Sequence, residues 1–518
     1  MSGRENRSRP PAPRRLTRRA LLRGGGGVAG VAGAAALGGL PGLLGSAAAA
    51  AGRDPRERPN VVLIMADRIR ADALKSYDDV FDNSAHTPSL DALADDALRF
   101  RYFVPDGLPA IPARRALLTG MRSYPFRDWR ATPGVPAIPG WHKVWDYQPL
   151  MPELTRASGV ETVWVTDNPL LVGPRFDFVR RTQTLPRSDN HTSTERSYFQ
   201  PLRKAPARRE PTTAVLAEGM GLIDELRGKQ PFFLALDAFD PVDAFELPRQ
   251  YVLGDGPVHQ FNSLESEYFS YQDTVSVKGE GLADTVRDLY AREVGRVDDA
   301  VGRFLHKLDA AGLADNTVVI FMSEGGIGLG EQGVFGHPAG MWHRRVYQAP
   351  LLVRDPARRW AGDKSSWYAA THDVPTTILS YLDVVAPGKM AGEDLTTLFD
   401  DDDLPGRPFF TSGIDTHVMA GDREWLLVGR TDEDRWRLYH LDDEDEPDDI
   451  ENKTVDAPTV LQGIKQYAIW TAGGTLPEFG ATSAVRPNKP NESTSVADDN
   501  TLNQDDQDAQ RLGVAQGG

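Results

Sequence analysis

Cysteine is absent from the 518-residue sequence. Its absence excludes disulfide bonds, thiolate metal sites and thiol catalysis together. Basic residues are also in the minority, because 58 Lys and Arg stand against 74 Asp and Glu, which gives a formal net charge of −16. This balance argues against general affinity for nucleic acid or for an anionic membrane surface. We therefore expect no nucleic-acid partner.

The first 51 residues form a segment of their own. Twin arginines, Arg18 and Arg19, precede a mildly apolar Ala/Gly stretch and an Ala-rich run with an A-x-A cleavage site near Ala49 to Ala51. This pattern resembles a twin-arginine export signal. An uncleaved membrane anchor is the alternative, but the many glycines and the weak hydrophobicity favour cleavage. We expect an exported protein, located outside the cell, in the periplasm or in the cell envelope, with no stable membrane span after cleavage.

Short apolar runs that end in acids, glycines or prolines recur along the chain, and they are typical of buried parallel strands. The runs are NVVLIMAD (60–67), VETVWVTDN (160–168), PFFLALDAFD (231–240), NTVVIFMSEGG (316–326) and APLLVRDP (349–356). Helical spacing predicts helices at Thr87 to Phe100, with Thr87 as N-cap and Pro88 at the first position, and at Leu282 to Leu313. Alternation of strands and helices predicts an α/β fold with a central, mostly parallel (mixed) sheet sandwiched by helices.

The C-terminal part changes character. Between Phe409 and Pro447, the runs EWLLVG and RWRLYHL are separated by Gly and Asp turns, which predicts a small antiparallel sheet with a meander. The last stretch is rich in Asn, Asp, Gln, Ser and Thr. We predict an α/β domain over residues 52–405, a small antiparallel subdomain over residues 406–480 and a disordered polar tail over residues 481–518.

Several motifs occur in a specific order: RPNVVLIMAD, TPSLDALADDALRF, PxxPARRALLTG, PFFLALDAFDP, NTVVIFMSEGGIGLGEQGVFGHP and THDVPTTIL. With the terminal WLLVG and LYHLDDEDEP segments, they make the chain resemble the sulfatase family of the alkaline phosphatase superfamily. The resemblance extends from Arg58 to Ile464, and ordered segments are more specific than a single motif. It implies the alkaline phosphatase/sulfatase-like fold.

The resemblance also implies a catalytic centre at the ends of the central strands. In the family, one divalent cation, commonly calcium, lies there beside a nucleophile made from cysteine by oxidation to a formylglycine hydrate, and relatives in the superfamily use serine or threonine. Carboxylate and amide oxygens suit a hard cation, which neutralises the ester oxygens and lowers the pKa of the nucleophile.

This sequence departs from that pattern at the nucleophile. The family's C-x-P-S-R falls on Ala110 to Arg114, so the nucleophile position is Ala110 and no catalytic residue is intact. Arg114, which steadies the nucleophile in the family, is kept. Thr119 and Ser123 lie further along, and we expect their hydroxyls to make local structural contacts.

The metal-ligand positions are altered as well. Asp67 takes the first position, but Arg68 replaces the adjacent ligand; Glu324 keeps a carboxylate, but Gly325 replaces the neutral ligand beside it. Asp67 could bind metal or form a salt bridge, and the neighbouring Arg68 favours the salt bridge. Since carboxylates without a cation need a counter-charge, we predict that Arg68 pairs with Asp67 or Glu324 and takes the place of the metal.

The candidate anion-binding residues are Arg114, Arg68 and His337, the last of which lies near the expected pocket. His372, in THDVPTTIL, resembles a structural residue at a helix start. The leading hypothesis is a catalytically impaired family member, a pseudo-sulfatase, that binds anions or other molecules. The alternative is an active sulfuric or phosphoric ester hydrolase that uses a water on a calcium or other divalent ion held by Asp67 and Glu324. In either case, the expected ligand is a sulfated or phosphorylated ester or glycan.

Overall fold

The strand β1 (Asn60–Ala66) lies in the middle of the main sheet, and each of its residues is buried. Val62 and Ile64 point into one apolar core, whereas Leu63 and Met65 point into the other. Alternating side chains of a strand face opposite sides of its sheet, so both faces are covered. The computed structural model describes residues 58–77, 85–108, 110–127, 129, 139–140, 148–166, 179–181, 211–238, 282–329, 335–336, 344–399, 406–414, 416–431, 435–441 and 456–477.

The main sheet has the strand order β10-β2-β9-β6-β1-β5-β3-β4. The strands that follow β1 along the chain are β2 (Leu98–Phe103), β3 (Glu161–Thr166), β4 (Val179–Arg181), β5 (Phe232–Ala238), β6 (Thr317–Met322), β7 (Gly328–Leu329), β8 (Phe335–Gly336), β9 (Leu351–Arg354) and β10 (Lys364–Ala369). The pair β7 and β8 forms a separate antiparallel ribbon. Both neighbours of β1 run parallel to it, so the carboxyl ends of β6, β1 and β5 meet at one edge of the sheet.

Helices cover both faces of this sheet. They are α1 (Pro88–Asp95), α2 (Ala110–Thr119), α3 (Met151–Ala157), α4 (Pro211–Leu226), α5 (Leu282–Ala310), α6 (Arg344–Tyr347), α7 (Asp373–Tyr381) and α8 (Pro458–Thr471). Apolar residues of α1, α4 and α5 belong to one core, and those of α2, α3 and α7 belong to the other. The predicted α/β sandwich is confirmed.

Two details of the sequence prediction are wrong. The helix predicted from Thr87 to Phe100 ends at Asp95, and the following LRFRYF segment forms β2. Pairing of β2 with β9 and β10 in the sheet outweighs the helical spacing of Leu90, Leu93 and Leu98. The segment Leu351–Arg354 is a buried strand, but it runs antiparallel to both β2 and β6, which makes the sheet mixed.

The C-terminal part forms a second sheet, as predicted. The strands β11 (Phe410–Ile414), β12 (His417–Gly421), β13 (Trp425–Arg430) and β14 (Trp436–His440) pair antiparallel in chain order, which is a meander. Helix α8 packs on this sheet through Leu461 and Ile464. Within the described residues, no helix combines the length and the apolar character needed to span a membrane. The predicted export signal and polar tail lie outside the described residues.

Candidate functional site: a buried arginine among three carboxylates

The chain leaves β1 through Asp67 and Arg68, both of which are buried. Arg68 has a φ of 64°, which is uncommon for a residue with a side chain. The hydroxyl of Tyr290 fixes this turn, because it donates to the carbonyl of Arg68 (2.9 Å) and accepts the N–H of Arg70 (2.8 Å). Backbone strain that the surrounding contacts enforce is typical of functional sites.

A second chain segment supplies Glu324 directly after β6. Ser323 joins it to the end of β1, because the Ser323 hydroxyl accepts the N–H of Ile69 (2.8 Å) and donates to the carbonyl of Gly325 (3.1 Å). Gly325 has a φ of 133°, a conformation that glycine adopts far more readily than other residues. A Cβ atom at this position would lie 2.9 Å from Leu108 Cδ2. The backbone here therefore favours glycine, and a side chain would strain it and displace the Leu108 methyl group.

The helix α2 supplies the cation. Its first residue is Ala110, at the expected nucleophile position, and Arg114 follows one turn later. The Arg114 side chain is 2% exposed. Its nitrogen atoms face inward onto the ends of β1, β5 and β6, where the strand edges meet.

Three buried carboxylates surround the Arg114 guanidinium. Its Nη2 donates to Asp237 Oδ1 (2.7 Å) and its Nε donates to the same oxygen (3.1 Å). Its Nη1 lies 3.4 Å from Asp67 Oδ2 and makes a short contact with Glu324 Oε2. We predicted such pairs for Arg68. The structure shows them for Arg114, and the positive charge of Arg68 also acts on Glu324, because it opposes the rise of that residue's pKa.

The third carboxylate, Asp237, escaped the sequence analysis. It is fully buried in β5, where Met65 of β1 is its register partner. Its Oδ2 accepts from the Trp164 indole N–H (3.1 Å) and from the Thr166 hydroxyl (3.1 Å). Phe233 and Ala235, on the same strand, belong to the core that α2 covers, so strand alternation turns Asp237 toward Arg114. A single acid inside the apolar run PFFLALDA was the available signal.

Burial and charge together set the protonation of this cluster. Burial raises the pKa of Glu324 well above its usual value, and the negative charges of Asp67 and Asp237 act in the same direction, whereas Arg114 and Arg68 oppose the shift. Glu324 Oε1 is buried without a hydrogen-bond partner. Burial alone would lower the pKa of Arg114, but Asp237, Glu324 and Asp67 outweigh it and raise that pKa well above the usual value. Arg114 therefore carries a permanent positive charge.

The residues present do not fit the calcium site that the resemblance implies. A calcium ion needs six to eight oxygen ligands, but the oxygens of Asp67, Asp237 and Glu324 already converge on a guanidinium. Gly325 offers no side-chain ligand. No group of three or more His, Cys, Asp or Glu side chains with metal-binding geometry occurs in the part of the chain that the structure describes.

The other candidate residues from the sequence are not among the contacts of this cluster within the described residues. His337 lies outside the described residues. The Thr119 hydroxyl donates to the carbonyl of Arg115 (2.7 Å), and the Ser123 hydroxyl donates to the carbonyl of Pro112 (2.6 Å). Both hydroxyls make the local contacts that we expected. His372 is the N-cap residue of α7, which confirms its predicted place at a helix start.

A second buried cluster lies beside His372 at the start of α7. Asp373 accepts two hydrogen bonds from the Arg407 guanidinium (both 2.6 Å) and the backbone N–H groups of Ala370 (2.7 Å) and Glu393 (2.8 Å). Burial opposes ionisation of Asp373, but the Arg407 and His372 interactions and these hydrogen bonds hold its pKa at about 2. Asp373 thereby connects the end of β10, through Ala370, to the segment before β11, through Arg407.

Replacing Asp373 with asparagine should lower the free energy of unfolding by about 2 kcal/mol at neutral pH. The pKa of Asp373 lies below its unfolded value, so its ionisation stabilises the fold above about pH 4, and this contribution is lost as the pH falls toward 2. Urea unfolding at several pH values should show that the deficit of Asp373→Asn shrinks on acidification. The exposed Asp363→Asn serves as the control, and an equal pH profile for both variants would contradict the prediction.

Comparison with known proteins places this geometry in a family. A family model described as Sulfatase matches residues 59–384. The chain is 24% identical to an ulvan-active sulfatase of Formosa agariphila over 370 residues, covering 68% of this chain and 67% of that protein. It is 20% identical to an arylsulfatase of Clostridium perfringens over 450 residues, covering 76% of this chain and 90% of that protein.

Solved structures show the same fold. A phosphonate monoester hydrolase of Agrobacterium radiobacter superimposes with a TM-score of 0.60 and 20% identity, over 80% of this chain and 96% of that one. The family model covers more than half of the sequence, including β1, α2, β5 and β6. On this match and the shared fold, the chain belongs to the sulfatase family.

Proposed function

We propose that this chain is a sulfatase-family protein that binds a sulfated or phosphorylated ester or glycan without hydrolysing it. One observation carries the proposal: the guanidinium of Arg114 contacts Asp67, Asp237 and Glu324 at the strand ends. In this arrangement, an internal ion-pair cluster takes the place of the catalytic centre.

Covalent catalysis by the family's route needs a nucleophilic atom at the start of α2. Ala110 stands there, and a methyl group cannot attack sulfur or phosphorus. The hydroxyls of Thr119 and Ser123 donate to backbone carbonyls. Neither hydroxyl is therefore a substitute for the nucleophile.

Ester hydrolysis by a water molecule is the second candidate, and one observation favours it. Glu324 Oε1 is buried without a hydrogen-bond partner, and buried carboxylate oxygens of this kind accept from a water molecule or bind a cation. The alternative requires Arg114 to release at least one of its carboxylates before a cation can enter. Because breaking a buried ion pair is costly, we favour the binding function.

The ligand class follows from the relatives. The ulvan-active sulfatase and the arylsulfatase are named for their action on sulfated molecules. A protein that keeps the fold but no longer hydrolyses esters can still bind the same class of ligand. The Arg114 donors are directed at protein carboxylates, so we assign Arg114 a structural role in this proposal. The anionic group of the ligand then needs other cations of the chain.

Hydrolysis assays test the proposal directly. We expect purified protein to release no product above the buffer blank from nitrophenyl sulfate, a phosphate diester or a phosphonate monoester, with or without added calcium. Ala110→Cys and Ala110→Ser should remain inactive, because a nucleophile alone does not restore the centre. Turnover that depends on a divalent ion and disappears in Asp67→Ala would establish the alternative.

A further inference from the structure

A basic cleft lies near the β10 edge of the main sheet, and no residue of the Arg114 cluster lines it. Its walls come from β2, from the first residue of β10, from α6 and from the short helix Lys75–Tyr77. The cavity volume is about 50 Å³, and the cleft opens to solvent. The cleft is therefore an accessible surface site, whereas the Arg114 cluster is buried.

Four cations line the cleft: Arg99, Arg101, Arg344 and Lys364. Its lining contains no acidic residue within the described ranges, although the whole chain carries a formal charge of −16. Lys364 and Arg99 are direct register partners between β10 and β2, and like charges placed side by side destabilise a sheet. A concentration of positive charge in an acidic protein is a feature that a bound anion would stabilise.

Two residues that line the cleft carry a polar group with unused hydrogen-bonding capacity. Arg99 is 8% exposed, and its terminal nitrogens donate to the carbonyls of Ser76 and Gly362. Its Nε is buried without a partner, and so is the hydroxyl oxygen of Ser76. Buried donors are normally satisfied, and an N–H and an O–H on residues that line the same cleft can both donate to one oxyanion once they turn toward it.

Aromatic rings complete the walls of the cleft. The Tyr77 hydroxyl accepts the N–H of Leu351 (2.8 Å) and donates to its carbonyl (3.1 Å), which fixes the ring. The Tyr102 ring lies against the Tyr368 ring, with centroids 5.4 Å apart, and the Arg423 guanidinium lies 4.7 Å from the Tyr102 centroid. Rigid aromatic walls beside a few polar groups are typical of sites for small organic ligands.

We propose that this cleft binds the sulfate or phosphate group of an anionic sugar ester. The group would accept hydrogen bonds from Arg99 Nε and the Ser76 hydroxyl, with Arg101 and Lys364 at the exposed rim. The sugar would lie against the tyrosine rings. The choice of a sugar ester rests on the proposed binding function, whereas the location of the anion rests on the cleft alone.

Calorimetric titration of the full chain tests this assignment. The probes are a sulfated dextran oligosaccharide, a phosphorylated one of the same length and the unmodified oligosaccharide. We expect the two charged probes to bind and the neutral one to fail. The variant Arg101→Glu/Lys364→Glu should weaken binding at least about tenfold, and added salt should weaken wild-type binding. Comparing the sulfated with the phosphorylated probe identifies the preferred ester.

The matched control, Arg303→Glu/Lys389→Glu, makes the same charge change at exposed positions outside the cleft. It should change the affinity less than about twofold. Equal losses in the two double variants, or wild-type affinity in the cleft variant, would overturn the cleft assignment and leave the proposed binding function standing. Failure of wild-type protein to bind either charged probe would overturn both. Arg99→Gln, which removes Nε as a charged donor, should reproduce the loss without reversing any charge.

Discussion

Replacing Arg114 with methionine should lower the free energy of unfolding by about 3 to 5 kcal/mol at pH 7. The side chain is buried at the meeting point of β1, β5 and β6, where Asp67, Asp237 and Glu324 all contact it. Methionine keeps much of the volume but leaves these carboxylates without their shared counter-charge. Removing one partner of a buried ion pair costs far more than the pair itself contributes, because the remaining charge stays in a low-dielectric site.

The pH dependence of this loss identifies its cause. Burial raises the pKa of Glu324, and Arg114 is the strongest influence that opposes the rise. Without Arg114 that pKa rises further, so the folded state holds a proton that the unfolded state releases above its own pKa near 4.5. The contribution of such a group to the free energy of unfolding falls as the pH rises from its unfolded pKa toward its folded pKa. Wild type shows this fall too, but the higher pKa in the variant extends it to higher pH, so the deficit of Arg114→Met should grow as the pH rises above the wild-type pKa of folded Glu324.

Two further variants separate charge from shape in this experiment. Arg114→Lys keeps the charge but loses the planar donor fork, so its deficit should lie between wild type and Arg114→Met. Arg303→Met, at an exposed position of α5, should change stability by less than about 0.5 kcal/mol. Urea unfolding gives all three values. Wild-type stability in Arg114→Met would show that the carboxylates need no counter-charge and would remove the basis of the proposed function.

Sequence patterns were sufficient for most of the fold, because the buried strands are continuous apolar runs with abrupt polar ends. The resemblance to the sulfatase family pointed to Asp67 and Glu324, and the ends of β1 and β6, where these residues follow, lie at one edge of the sheet because the two strands are parallel. The direction of β9 was not predictable from its own residues. Hydrogen bonding to β2 and β6, which lie far from it along the chain, sets that direction.

The identity of the central cation could not be read from local sequence. Arg68 is adjacent to Asp67, but its left-handed backbone and the Tyr290 contact fix how the chain leaves β1. Arg114 reaches the carboxylates because α2 covers the face of the sheet on which Asp237 lies, which is a tertiary fact. Asp237 itself looked like one polar residue in an apolar strand. Only the positions of the neighbouring strands and of α2 show that Asp237 lies on the face of the sheet that Arg114 contacts.

Restoring the family's neutral side chain with Gly325→Asn should lower the free energy of unfolding by roughly 2 to 4 kcal/mol. The φ of 133° strains any residue with a Cβ atom, and that atom would lie 2.9 Å from Leu108. Leu108 cannot move freely, because its backbone N–H donates to Gly413 (2.8 Å) and its side chain is buried. Gly325→Ala should show most of the same loss, since the first atom of the side chain causes it.

A matched control, the same Gly→Asn substitution at another glycine with positive φ, separates the effect of the position from the effect of the residue type. Gly159 also has a positive φ, of 81°, but a Cβ atom there would meet no atom within 4 Å, so Gly159→Asn should cost less than about 1 kcal/mol. Thermal unfolding with and without calcium completes the comparison. We expect calcium to leave the melting temperature of Gly325→Asn unchanged, because the new amide would join carboxylates that Arg114 already holds. A melting temperature that rises with calcium would instead show that this one substitution converts the ion-pair cluster into a metal site. Calcium could then displace Arg114 from the carboxylates.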